Sequence, residues 1–154
     1  IIIEIANDIP SFREYPPDEF IRYDSLDVFL RENPDFFLPY IPDGLYPLDM
    51  EANLVSGSPF YAVSFCSPDY SQALIISQET LNSTNMGYRA YLEINNEYSE
   101  EYVVSGITHY IESNNRNSFQ MFWFVDNTQY HISGNLPLDV MKKIIDSYYE
   151  GETE

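Results

Sequence analysis

The chain has 154 residues, the length of one ordinary domain, and its 44% hydrophobic and 16% aromatic content exclude an intrinsically disordered segment. Asp and Glu number 25 against 7 Lys and Arg, a formal net charge of −18, which argues against binding nucleic acid or an anionic membrane through phosphates and favours a cationic partner or plain solvation. The single cysteine, Cys66, excludes an intramolecular disulfide and a Cys-based zinc site, and no apolar run approaches the ~18 residues of a membrane-spanning helix.

Residues 1–24 contain Pro10, Pro16 and Pro17 and read as an extended N-terminal arm, with a short strand at 1–5. A single domain is expected over residues 25–150. It opens with a helix: Asp24 or Ser25 caps it, Asp27 suits its dipole, and Leu26, Phe29 and Leu30 form one apolar face. Pro34 ends that helix, and Pro39, Pro42, Gly44 and Pro47 make the next stretch irregular, with Pro-Asp-Gly as a turn.

Strands are predicted at 49–56, 60–66, 72–79, 88–94, 101–112, 119–125 and 128–133, separated by short Gly, Pro, Asn and Ser loops. Short connections favour antiparallel neighbours in a meander. A closing helix has Pro137 in its first turn, with Val140, Met141, Ile144, Ile145 and Tyr148 on one face. Residues 151–154 form an acidic tail. The fold class is α+β: a curved antiparallel sheet of about six or seven strands, with an N-terminal and a C-terminal helix packed on it.

The aromatic run Phe122-Trp123-Phe124 lies in a predicted hairpin. A two-residue Asp126-Asn127 turn sets Trp123 opposite Tyr130 and Met121 opposite Ile132 on an apolar face. The other face pairs Phe124 with Gln129 and Phe122 with His131, and is mixed. Trp123 is therefore assigned to the core. The closing helix could fold onto either face.

Gly-rich phosphate loops, zinc-protease motifs, nucleophile elbows and EF-hand loops are absent from the sequence, and no cofactor is expected. His109 and His131 lie in predicted strands, where a structural role outweighs catalysis or metal ligation. Asp35, Asp43, Asp49 and Glu51 lie near the Pro-rich turn and supply hard oxygen ligands without an ordered calcium loop. Asn82 begins an Asn-Ser-Thr acceptor tripeptide. Tyr40, Tyr46, Tyr61, Tyr70, Tyr88, Tyr91 and Tyr110 could line a carbohydrate or peptide groove, although core filling explains most such rings.

Two stretches carry a family resemblance: Pro39-Tyr40-Ile41-Pro42-Asp43-Gly44 after a short helix, and Trp123 followed by Tyr130-His131-Ile132-Ser133-Gly134 and the closing helix. Together they resemble the bacterial domain of unknown function (DUF) 4367 family. Two departures are the Asp126-Asn127 turn, where an Asp-Gly-like pair is usual, and Pro137-Leu138 in place of an acidic first turn. The resemblance implies an extracytoplasmic domain of lipoproteins or anti-sigma-factor-like proteins, and no catalytic residue.

The expected function is a non-enzymatic sensor or interaction module of a Gram-positive-type envelope protein. Its partner would be a protein, peptide or cell-wall ligand, held by Tyr40, Phe122, Phe124 and His131. Nucleic acid is not expected as a partner. Because the chain opens on Ile1, an upstream segment is expected to anchor it at the envelope. Two alternatives are an acidic nucleic-acid mimic in the cytoplasm and a small hydrolase using His131 or His109.

Overall fold

The computed structural model describes residues 2–3, 12–13, 20–54, 58–81, 100–113 and 117–150. The predicted strand at 88–94, the Asn82 tripeptide and the acidic tail lie outside the described residues. Near the N-terminus, strands β1 (Ile2–Ile3) and β2 (Phe12–Arg13) form a separate antiparallel pair.

All other described strands belong to one open sheet: β3 (Phe20–Tyr23), β4 (Tyr46–Asn53), β5 (Phe60–Cys66), β6 (Ala73–Thr80), β7 (Glu100–Val104), β8 (Ile107–Ser113), β9 (Phe119–Val125) and β10 (Thr128–Gly134). Their spatial order is β3-β4-β5-β6-β10-β9-β8-β7, and every pairing is antiparallel. The α+β class holds. The sheet, however, has eight strands rather than six or seven, and it is neither curled nor closed.

Two local causes raise the strand count. The end of the N-terminal arm pairs with β4 as an edge strand. The predicted strand at 101–112 is two strands, because Ser105 and Gly106 both take positive φ (53° and 76°), the pattern of a two-residue type I′ hairpin turn. The order is also not a single meander. Two four-stranded meanders meet where β10 pairs with β6, so the last strand lies at the centre.

Helix α1 (Leu26–Glu32) is capped by Ser25, whose Oγ accepts from Val28 N–H at 3.4 Å. It ends at Asn33, where the backbone N–H and Nδ2 both donate to the Phe29 carbonyl. Helix α2 (Leu138–Ser147) begins one residue later than expected, with Pro137 at its N-cap. Between α1 and β4, Gly44 takes φ 91° and Leu45 N–H donates to the Pro42 carbonyl, closing the anticipated Pro-Asp-Gly turn.

Both helices bury their apolar stripes on the same face of the sheet. Phe29 of α1 and Met141, Ile144 and Ile145 of α2 join Met50, Val63, Leu74, Ile76, Met121, Trp123 and Ile132 in one core. Period-2 alternation in the strands and a 3.6-residue stripe in the helices converge there. Trp123 stacks on Tyr130 (5.4 Å between centroids) and meets Tyr148 edge-on (4.9 Å). Gln78 ties the segment after α1 to the sheet: its Oε1 accepts from Phe37 N–H and its Nε2 donates to the Asp35 carbonyl.

Candidate binding face

The face opposite the helices is read from the strand register as rows that cross the sheet. One row runs Asn53, Phe60, Glu79, Gln129, Phe124. The next runs Arg22, Glu51, Ala62, Ser77, His131, Phe122, Tyr110, Glu101 across all eight strands. A third runs Asp49, Ser64, Ile75, Ser133, Gln120, Glu112, and a short fourth runs Tyr46, Cys66, Ala73.

Burial falls overall from the first row to the fourth. The first row is buried except for half-buried Phe60. The second runs from exposed Arg22 and Glu101 at its ends to buried Phe122. In the third and fourth, Asp49, Ile75, Gln120, Tyr46 and Ala73 are exposed, and Ser64, Ser133, Glu112 and Cys66 are half-buried. One end of this face is therefore covered and the other is bare.

The four residues expected to hold a ligand do not come together. Phe122, Phe124 and His131 share the helix-free face, whereas Tyr40 packs against α2 on the opposite side. Tyr40 N–H donates to Ser147 Oγ at 2.8 Å, and the Lys143 ammonium sits 5.1 Å from the centre of its ring. The ring is 39% exposed, with an internal cation already over it.

Phe122 and Phe124 are not presented to solvent. They are 4% and 8% exposed and form a second small core with Leu81 and Tyr110, in which Tyr110 stacks on Phe122 at 5.2 Å. Helix α2 lies on the Trp123 face instead. His131 is half-buried beside them, with Nε2 3.3 Å from Gln120 Oε1, and desolvation lowers its pKa to about 4. It is a neutral imidazole at ordinary pH.

His109 belongs to the main core and is fully buried. Its Nδ1 lies 2.9 Å from the Tyr102 carbonyl, an acceptor only, so Nδ1 carries the proton. Its Nε2 then accepts from the Tyr149 hydroxyl at 2.7 Å. Neither histidine hydrogen-bonds a carboxylate among these described contacts. Among the described residues no group of three or more His, Cys, Asp or Glu side chains is placed to hold a metal ion, and Asp35, Asp43, Asp49 and Glu51 form no such site.

At the bare end, Ala73, Ile75, Phe119, Gln120, Ser133 and Gly134 line a shallow depression of about 320 Å³. Ile75 is 44% exposed there. Gly134 is required by a close approach: a Cβ at that position would lie 2.7 Å from the Ala73 carbonyl oxygen. Asn135 then extends the ladder with its side chain, Oδ1 accepting from Ala73 N–H and Nδ2 donating to the Ser71 carbonyl.

The β5–β6 turn stands beside this depression. Asp69 accepts from Ser67 Oγ, Ser71 N–H and Ser71 Oγ at 2.7–3.1 Å, and these bonds hold its carboxyl at about 2. The turn forces Tyr70 to φ 61°, unusual for a bulky side chain, and its ring is 73% exposed. Sequence reasoning grouped Tyr46 and Tyr70 with five other tyrosines and could not separate them. The structure exposes these two, buries Tyr61 and half-buries Tyr110, while Tyr88 and Tyr91 lie outside the described residues. Ile75 was missed; its one signal was its out-of-phase place in the alternation of Leu74, Ile75, Ile76.

The architecture is thus an open eight-stranded α+β domain, helix-covered on one face and partly bare on the other. The chain belongs to the family described as Domain of unknown function (DUF4367), whose profile matches residues 35–147. The match takes in β4 to β10 and α2 and leaves β3 and α1 outside it. Comparison with curated proteins finds no match.

Proposed function

We propose that this domain is a non-enzymatic interaction module of a bacterial envelope protein, acting outside the cytoplasmic membrane and binding a protein, peptide or wall ligand. The observation that carries the proposal is the burial gradient on the helix-free face. A sheet face that is closed at one end and bare at the other leaves an apolar residue, Ile75, and a depression exposed among the described residues. Exposed Tyr46 and Tyr70 at the same end add the large, rigid contact area typical of recognition surfaces. The Tyr-, Asn- and Ser-rich composition and the family resemblance support the extracytoplasmic location.

Two measurements test this. A photo-crosslinking amino acid at position 75 of the intact protein, in its native host, is expected to trap a discrete adduct that the same group at exposed Asp139 on α2 does not. Absence of any adduct from position 75 removes the module reading. Protease added to intact protoplasts is expected to digest the domain, and full protection until lysis removes the extracytoplasmic location.

A further inference from the structure

We infer that the bare end of the helix-free face takes an extended, positively charged polypeptide segment, with Tyr70 as its specificity-determining contact. The inference rests on the interaction-module reading and deepens it.

The shape argues for a polymer. A depression of about 320 Å³ is at the small end of ligand sites and accommodates a side chain more readily than a whole small molecule. The remaining contact must come from the open surface around it, where Tyr46, Ile75 and Gln120 are exposed.

The charge pattern argues for a cation. The row through the depression has Asp49 at one end and Glu112 at the other, with four neutral residues between them. Five strand spacings put the two carboxylates roughly 24 Å apart. Asp69 adds a third carboxylate beside Tyr70. Among the described residues, Arg22 is the basic side chain on this face, at the far edge beside Glu51. An extended segment of about eight residues spans that distance at ~3.3 Å per residue. It would set Lys or Arg at its ends against the carboxylates and an apolar side chain over Ile75.

Tyr70 is the strongest single indication. A left-handed backbone at a hairpin turn suits Asn or Gly, and Tyr there costs stability. Its exposed ring makes no described packing contact that would offset that cost. The turn is also tied to the depression, because Asn135 bonds both Ser71 and Ala73. A cation over the ring face, or an aliphatic stem across it, uses what the strained residue presents.

Fluorescence anisotropy with the labelled peptide Lys-Ser-Ser-Leu-Ser-Ser-Ser-Lys, whose terminal lysines lie about 23 Å apart when extended, tests the idea. The acidic counterpart, with Glu for Lys, and a neutral chito-oligosaccharide serve as competitors. The basic peptide is expected to bind, to weaken as salt rises, and to be displaced by neither competitor. Tyr70→Asn, which relaxes the backbone and folds at least as stably, is expected to weaken binding about tenfold or more, as is Ile75→Lys. The inference is overturned if the basic peptide does not bind, if either competitor displaces it, or if either variant binds as the parent does. Crosslinking from position 75 without basic-peptide binding would leave the module reading standing and remove this one.

Discussion

Replacing His109 by Phe is expected to uncouple a buried hydrogen-bond chain that holds the end of α2 to the sheet. The imidazole donates from Nδ1 to the Tyr102 carbonyl at 2.9 Å and accepts at Nε2 from Tyr149 at 2.7 Å, with its ring 4.6 Å from Trp123. Phe keeps the volume and removes both bonds. Each bond contributes about 1 kcal/mol net, and a buried group deprived of its partner costs about 1–3 kcal/mol more. The loss for His109→Phe is therefore about 2–4 kcal/mol, or roughly 4–16 °C in Tm for a chain of this size.

Tyr149→Phe alone is expected to cost about 1–2 kcal/mol, and the double variant little more than His109→Phe, since the shared bond can be lost only once. Urea unfolding followed by fluorescence of Trp123, the sole tryptophan, reads all four states in one cycle. The same chain sets a pH dependence. Burial lowers the pKa of His109, opposed by hydrogen bonds to the Tyr102 and Ile107 backbone and by the Asp146 carboxylate. Below pH 6.5 the unfolded chain takes up a proton that the folded chain refuses, so stability falls on acidification by up to about 1.4 kcal/mol per pH unit for each such histidine. His131 adds a second contribution down to about pH 4. His109→Phe should reduce the slope that sets in below pH 6.5 and leave that of His131. Additive energies in the cycle, with an unchanged slope, would refute the assignment.

Gly134→Ala should destabilise by about 1–3 kcal/mol, because its Cβ would meet the Ala73 carbonyl and disturb the central β6–β10 pairing; a thermal melt within 1 °C of the parent would count against this. Gly106→Ala forces a side chain into φ 76° and is expected to cost about 1–2 kcal/mol in urea unfolding, with Gly106→Asn milder. Tyr102 donates to Asp146 Oδ1 at 2.6 Å, and that bond raises its pKa to about 12. Its contribution is complete below pH 10 and lost as pH rises toward 12, so Tyr102 should ionise late in an ultraviolet titration, as should Tyr148, whose pKa burial raises well above 10, and Tyr102→Phe should shrink the late step by one group without abolishing it.

The pattern of residues was enough to place most elements. Apolar runs bounded by Pro, Asn and Ser loops set strand boundaries at 60–66 and 119–125 that the structure reproduces; burial alternates residue by residue in β5, whereas β9 buries four residues in a row because both of its faces are covered there. The Asp126-Asn127 turn fixed the hairpin register down to Trp123 opposite Tyr130, although Asp126 alone of the two takes positive φ, at 53°. The Ser105-Gly106 turn was also legible, as a Ser-Gly pair, and was overlooked because apolar residues flank it on both sides.

What local sequence could not decide was which strands meet across long separations. Central pairing of β10 with β6 joins residues about fifty apart, and no local pattern records it. The same holds for the face that α2 chose. Val140, Met141, Ile144 and Ile145 require an apolar surface, and both faces of the hairpin offered rings. Only the assembled sheet made the Trp123 face the continuous one, through Val63, Leu74, Ile76 and Ile132 from neighbouring strands. Phe122 and Phe124 were thereby left to a second core, and the bare surface shifted to the other end of their face, around Ile75 and Tyr70. Sequence determines which side of its own strand a residue occupies; what covers that side depends on groups far away along the chain, and only tertiary packing brings them there.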